Sequence, residues 1–194
     1  MGKNIAGMEV SFNINNAYAA KGICKAVEQM TENYSDICLI FVGTDANIGD
    51  SLAPLAASII SVKNGNIFTY GNLNCTITAK EVPFMCEFVK NAHPTSFCLV
   101  IDAAVGKKED VGVIKVQNRG IKPGLGVNKD LPMMGNGSII GIISEKSEKN
   151  GGNLAITRLS YVYKMAKVIA EGLQSYINGR FSPILTSNSG FSIE

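Results

Sequence analysis

The chain has one histidine in 194 residues, His93, followed directly by Pro94. That scarcity excludes a zinc site built on two histidines, and any Ser-His-Asp triad would have to use this one residue. His93 falls just before an apolar strand segment, at the end of the sheet opposite the strand carboxyl ends. It reads as a plain surface histidine. Long apolar runs are missing as well. None approaches about 18 residues, so no transmembrane helix is expected. The opening residues, Met1 to Val10, hold no sustained apolar stretch, so no signal peptide is expected. Charge of one sign is also lacking: 18 basic against 16 acidic residues leave +2. That balance makes no electrostatic case for nucleic acid or for an acidic membrane surface.

The five cysteines, Cys24, Cys38, Cys75, Cys86 and Cys98, are odd in number, and no pair is spaced C-x-x-C. Cys38 and Cys98 sit inside apolar runs, where a thiol acts as a small hydrophobe. Buried, unpaired and unreactive thiols in a reducing cytoplasm are the expectation. Phosphate-cradling and nucleophile motifs are absent too. Gly106-Lys107-Lys108 lacks the hydroxyl residue of a P-loop, Gly124-Leu125-Gly126 is not continued into a dinucleotide fingerprint, and there is no G-x-S-x-G. No cofactor and no metal are expected.

What is present is an ordinary globular composition, 46% hydrophobic with 20 glycines, of a length that suits one domain. Ile37-Cys38-Leu39-Ile40-Phe41-Val42 and Phe97-Cys98-Leu99-Val100-Ile101 are short, fully apolar runs, the pattern of central parallel strands buried on both faces. Ile67–Tyr70 and residues 138–143 read as further strands, and residues 111–116 as a possible edge strand. Residues 1–14 have no clear period. Helical spacing recurs over 15–31, 51–60, 79–91 and 154–178, with Pro54 and Pro83 placed in first turns. In the last helix Leu154, Leu159, Val162, Met165, Ala166, Ile169, Ala170, Leu173 and Ile177 form one apolar stripe. The order predicts a three-layer α/β/α sandwich with a mostly parallel mixed central sheet. A single domain over 1–178 and a C-terminal tail over 179–194 are expected.

In such sheets the working residues lie outside the strand carboxyl ends. That selects the loop Thr44–Asp50 and the segment from Asp102 to Asp110. Asp50 stands where a helix begins, so it can be an N-cap or a catalytic acid. Asp102 follows its strand directly, so it can hold loop N–H groups or do chemistry. Two carboxylates in one crevice can activate a water and protonate a leaving amine. With Asp45 they could instead hold a divalent metal. Spacing leaves these readings open.

Four blocks are more specific. They are Gly43-Thr44-Asp45-Ala46-Asn47-Ile48-Gly49-Asp50-Ser51-Leu52-Ala53-Pro54-Leu55, then Tyr70-Gly71-Asn72-Leu73, then Ile101-Asp102-Ala103-Ala104-Val105-Gly106, and last Lys122-Pro123-Gly124-Leu125-Gly126-Val127-Asn128-Lys129-Asp130-Leu131-Pro132. With Thr157-Arg158-Leu159 they closely resemble the sporulation proteins of the YyaC family over roughly residues 15–175. That family is similar in turn to the spore germination protease and to hydrogenase maturation endopeptidases, which implies a peptidase-like α/β fold. The resemblance implies an atypical aspartic-type endopeptidase acting on a protein or peptide substrate, with Asp50 and Asp102 as the catalytic pair. Thr44, Asp45, Asn128 and Lys129 are the expected substrate-binding residues. The block 124–132 can equally be a structural turn. The chain departs from these relatives at two points. No histidine follows His93, so the nickel triad of the maturation endopeptidases is incomplete, and Ala104 replaces a cysteine usual after I-D-A. The alternatives are a non-catalytic binding protein that keeps the crevice, or a metal-dependent hydrolase. The expected setting is the cytoplasm of a mother cell or forespore.

Overall fold

A computed structural model of the chain describes residues 7–63, 65–123, 131–146 and 157–180. It is an α/β protein around one six-stranded mixed sheet. The strands are β1 (Glu9–Asn13), β2 (Ile37–Phe41), β3 (Ile67–Tyr70), β4 (Phe97–Gly106), β5 (Val113–Gln117) and β6 (Gly137–Glu145). They lie in the order β1-β5-β6-β4-β2-β3. The pairs β2/β3, β2/β4 and β4/β6 are parallel. The pairs β1/β5 and β5/β6 are antiparallel. Every residue of β2 is buried, as a strand covered on both faces must be.

Four helices complete the layers: α1 (Ala19–Met30), α2 (Leu52–Ile59), α3 (Val82–Ala92) and α4 (Leu159–Arg180). Alternation along the strands divides the core in two. Ile37, Leu39, Phe41, Leu99 and Ile101 face α1, α2 and α4. Cys38, Ile40, Cys98 and Val100 face α3 through Val82, Met85 and Val89. Helices α1 and α4 approach closely because Gly172 has no side chain; a Cβ there would lie 2.8 Å from the Ala20 carbonyl oxygen. Their far ends are joined by a buried hydrogen bond of 2.8 Å between the Thr31 and Tyr176 hydroxyls. No helix among the described residues is long and apolar enough to cross a membrane.

Several expectations change. Residues 9–13 form an edge strand, β1, whose alternating exposure is too short and too polar to register as a period. β5 is not an edge strand, because β1 pairs with its free side. β4 does not stop before Asp102; it runs on to Gly106 because β6 accompanies it beyond the end of β2. Leu159 is 54% exposed and leaves the stripe, whereas Val162, Met165, Ile169 and Leu173 are buried as expected and Tyr176 joins them. Leu154 and residues 181–194 of the expected tail lie outside the described residues.

Candidate active site

The carboxyl end of β2 carries a tight turn. Val42 still donates to the Ile101 carbonyl of β4 at 2.9 Å, and Gly43 donates to the Ile77 carbonyl at 2.8 Å. The chain then loops through residues 44–48 into a 3-10 turn, Gly49–Ser51, which leads directly into α2. Short polar side chains shape this loop, as they do wherever they can capture a nearby backbone N–H. Thr44 Oγ1 accepts from the Ala46 N–H at 3.2 Å, and Asn47 Oδ1 from the Gly49 N–H at 3.2 Å. The loop closes on itself where the Thr44 N–H donates to the Asp50 carbonyl at 3.1 Å.

Asp50 sits in the 3-10 turn, which packs against β4. It is not an N-cap: α2 begins after Ser51, with no side-chain capping bond at that end. Its carboxylate has no hydrogen-bond or ion-pair partner among the described residues, and it is half-buried. Burial pushes its pKa above the ordinary aspartate range, because the charged form loses water.

Asp102 lies within β4, opposite Ile140 of β6. Phe41 pairs with Ile101, so Asp102 stands one residue beyond the last paired residue of β2. Its Oδ1 accepts from the Ala103 N–H at 2.8 Å. Alternation puts its side chain on the α3 side with Cys98 and Val100, while Leu52, two residues after Asp50, enters the opposite layer. The two aspartates thus come to one carboxyl edge from two elements, one in the turn after β2 and one in the overhang of β4.

Thr44 is half-exposed and Asp45 exposed, both in the loop that ends at Asp50. Asn128 and Lys129 lie outside the described residues. Asp45, Asp50 and Asp102 do not form a metal-ligand group, and no three His, Cys, Asp or Glu side chains do so among the described residues. The Ser51 hydroxyl donates to the Ile48 carbonyl at 2.7 Å, so it is spent on the turn.

His93 corrects the surface reading. It caps the end of α3 and is half-buried. Its Nε2 is 2.7 Å from the Tyr70 hydroxyl, and its ring packs 4.2 Å from that of Phe68. An apolar environment on α3 and β3, built by residues distant in sequence, draws it inward. It also lines a cleft of about 310 Å³ toward the amino end of β4, together with Cys86, Lys90, Cys98 and Met134. This cleft was not read from the sequence. The available signal was that Cys38 and Cys98 each take the second place of an apolar run that opens a strand.

Residues 11–172 match a family described as "Protein of unknown function (DUF1256)". The chain belongs to that family. It is 33% identical over 138 residues to "Uncharacterized protein YyaC" of Bacillus subtilis (strain 168), an alignment that covers 71% of this chain and 67% of the relative. The matched span includes the 3-10 turn with Asp50, the overhang of β4 with Asp102, and the cleft beside α3. Both regions therefore lie within the DUF1256 part of the chain.

Proposed function

We propose that this YyaC-family chain is an aspartic-type endopeptidase whose acid and base are Asp50 and Asp102. The observation that carries the reading is the state of Asp50. It is a half-buried carboxyl with a raised pKa and no hydrogen-bond or ion-pair partner among the described residues, in a turn packed against the strand that bears Asp102. A carboxyl that holds its proton above the ordinary range suits a general acid. Asp102 would then take a proton from a water at the sheet edge. As that water adds to a peptide carbonyl, Asp50 would pass its proton to the departing amide nitrogen. Thr44 and Asp45, in the same loop, take the substrate-binding role, which the family resemblance also implies for Asn128 and Lys129. The resemblance to the germination protease supplies the substrate class, a protein or peptide, and the setting, the cytoplasm of a sporulating cell.

The test is cleavage of spore coat and core proteins by the purified chain, with and without a chelator, beside Asp50→Asn. Chelator-resistant cleavage that Asp50→Asn abolishes is the expected result. Cleavage lost with chelator alone would replace the dyad by a metal. No cleavage of any such substrate by the wild type would leave a binding protein that keeps the crevice.

A further inference from the structure

The cleft beside α3 holds a second chemical feature, independent of the aspartates and about 13 Å from Asp102 along β4 at the usual rise per residue. Cys38 of β2 and Cys98 of β4 are register partners on adjacent parallel strands. Both side chains point to the α3 layer. In-register neighbours lie ~4.8 Å apart between Cα atoms, inside the roughly 4.4–6.8 Å that a disulfide spans. Both thiols are free. Cys38 is fully buried, whereas Cys98 lines the 310 Å³ cleft and retains 8% exposure. Cys98 thus borders the cleft, with its partner beside it on the next strand.

We propose that Cys98 is a thiol-modification site that exchanges with a low-molecular-weight disulfide entering the cleft, and that Cys38 resolves the adduct. The Cys98 thiolate attacks one sulfur of the small disulfide. The S–S bond breaks, one small thiolate leaves and takes up a proton, and Cys98 carries the other half as a mixed disulfide. Cys38 then loses its proton and attacks Cys98 Sγ, expelling the second small thiolate. The sum is two protein thiols and one small disulfide going to one protein disulfide and two small thiols. The protein is oxidised by two electrons and the small disulfide is reduced.

The neighbouring Cys98 thiol and burial push the Cys38 thiol up, which leaves the attack to the cysteine that borders the cleft. The Cys98 thiol itself donates to the Ser96 carbonyl at 3.8 Å. Cys24 provides a contrast: it is buried, lines no part of this cleft, and its pKa is raised to about 11 by burial and the adjacent Glu28.

The experiment treats the native full chain with glutathione disulfide, quenches with acid at intervals, and maps each cysteine by peptide mass. The exposed Cys75 serves as an internal control for any accessible thiol. The expected course is a transient adduct on Cys98, at least about tenfold faster than any on Cys24, followed by a Cys38–Cys98 linked peptide. In Cys38→Ala the Cys98 adduct should persist, and in Cys98→Ala neither the adduct nor the link should form. The wild-type time course needs no variant to fold, so it stands alone. Adducts confined to Cys75 and Cys86, or Cys98 reacting only in denaturant that unfolds the chain, would overturn the proposal.

Discussion

Gly43 and Asp50 meet through their backbones: a Cβ placed on Gly43 would collide with the Asp50 carbonyl oxygen. The carbonyl that blocks it is the one that accepts the Thr44 N–H. Only a residue without a side chain lets the loop fold back over the end of β2 and set Asp50 against β4. Gly43→Ala should therefore cost about 1–3 kcal/mol, as overpacking does in a filled site. Urea unfolding would measure it. An unchanged midpoint would mean that the loop has another way to close.

Burial raises the Asp50 pKa, with no compensating partner among the described residues. Between its unfolded and folded pKa values the native state binds more protons than the unfolded chain, so stability falls as pH rises through that window. Protonation relieves the strain fully below the unfolded value, near 3.9. Asp50→Asn should thus melt higher than wild type at pH 7, and the advantage should shrink as pH falls through the window above about 4 and be gone below it. Melting curves across that range give the result; an advantage that grew in acid would contradict the assigned cause.

If the carboxylates act as a pair, each needs the other. Asp50→Asn and Asp102→Asn should each remove nearly all cleavage, and the double variant should lose little more. Multiplicative losses in a peptide-cleavage assay would assign the two residues separate roles.

The last helix gives an internal comparison. Leu173 is fully buried and Leu159 is 54% exposed. Leu173→Ala should cost about 2–5 kcal/mol, and Leu159→Ala about 0.5 kcal/mol or less. Denaturant titration of the two variants side by side would expose any error in the placement of α4.

The central strands and the helical stripes were legible because their signal is local. Ile37–Phe41 and the start of β4 are unbroken apolar runs, and Val162, Met165, Ile169 and Leu173 recur at helical spacing. Helix starts at Pro54 and Pro83 followed from proline's missing N–H. The place of Asp50 after β2 followed from where that run stops, whereas Asp102 lies within β4, which continues past its apolar run. β1 escaped because an edge strand with one wet face needs little apolar content. The rank of β5 in the sheet escaped because it depends on β1, which lies a hundred residues away in sequence.

By itself the sequence determined the layer architecture, the buried strands and the family blocks, since each depends on residues within one turn or one strand of each other. Tertiary structure alone decided the rest. β4 outlasts β2 because β6 pairs with it. Asp50 loses water because its turn is pressed against β4. Cys38 meets Cys98 because two strands sixty residues apart share one register. Burial and register are relations between segments, and no single segment carries them.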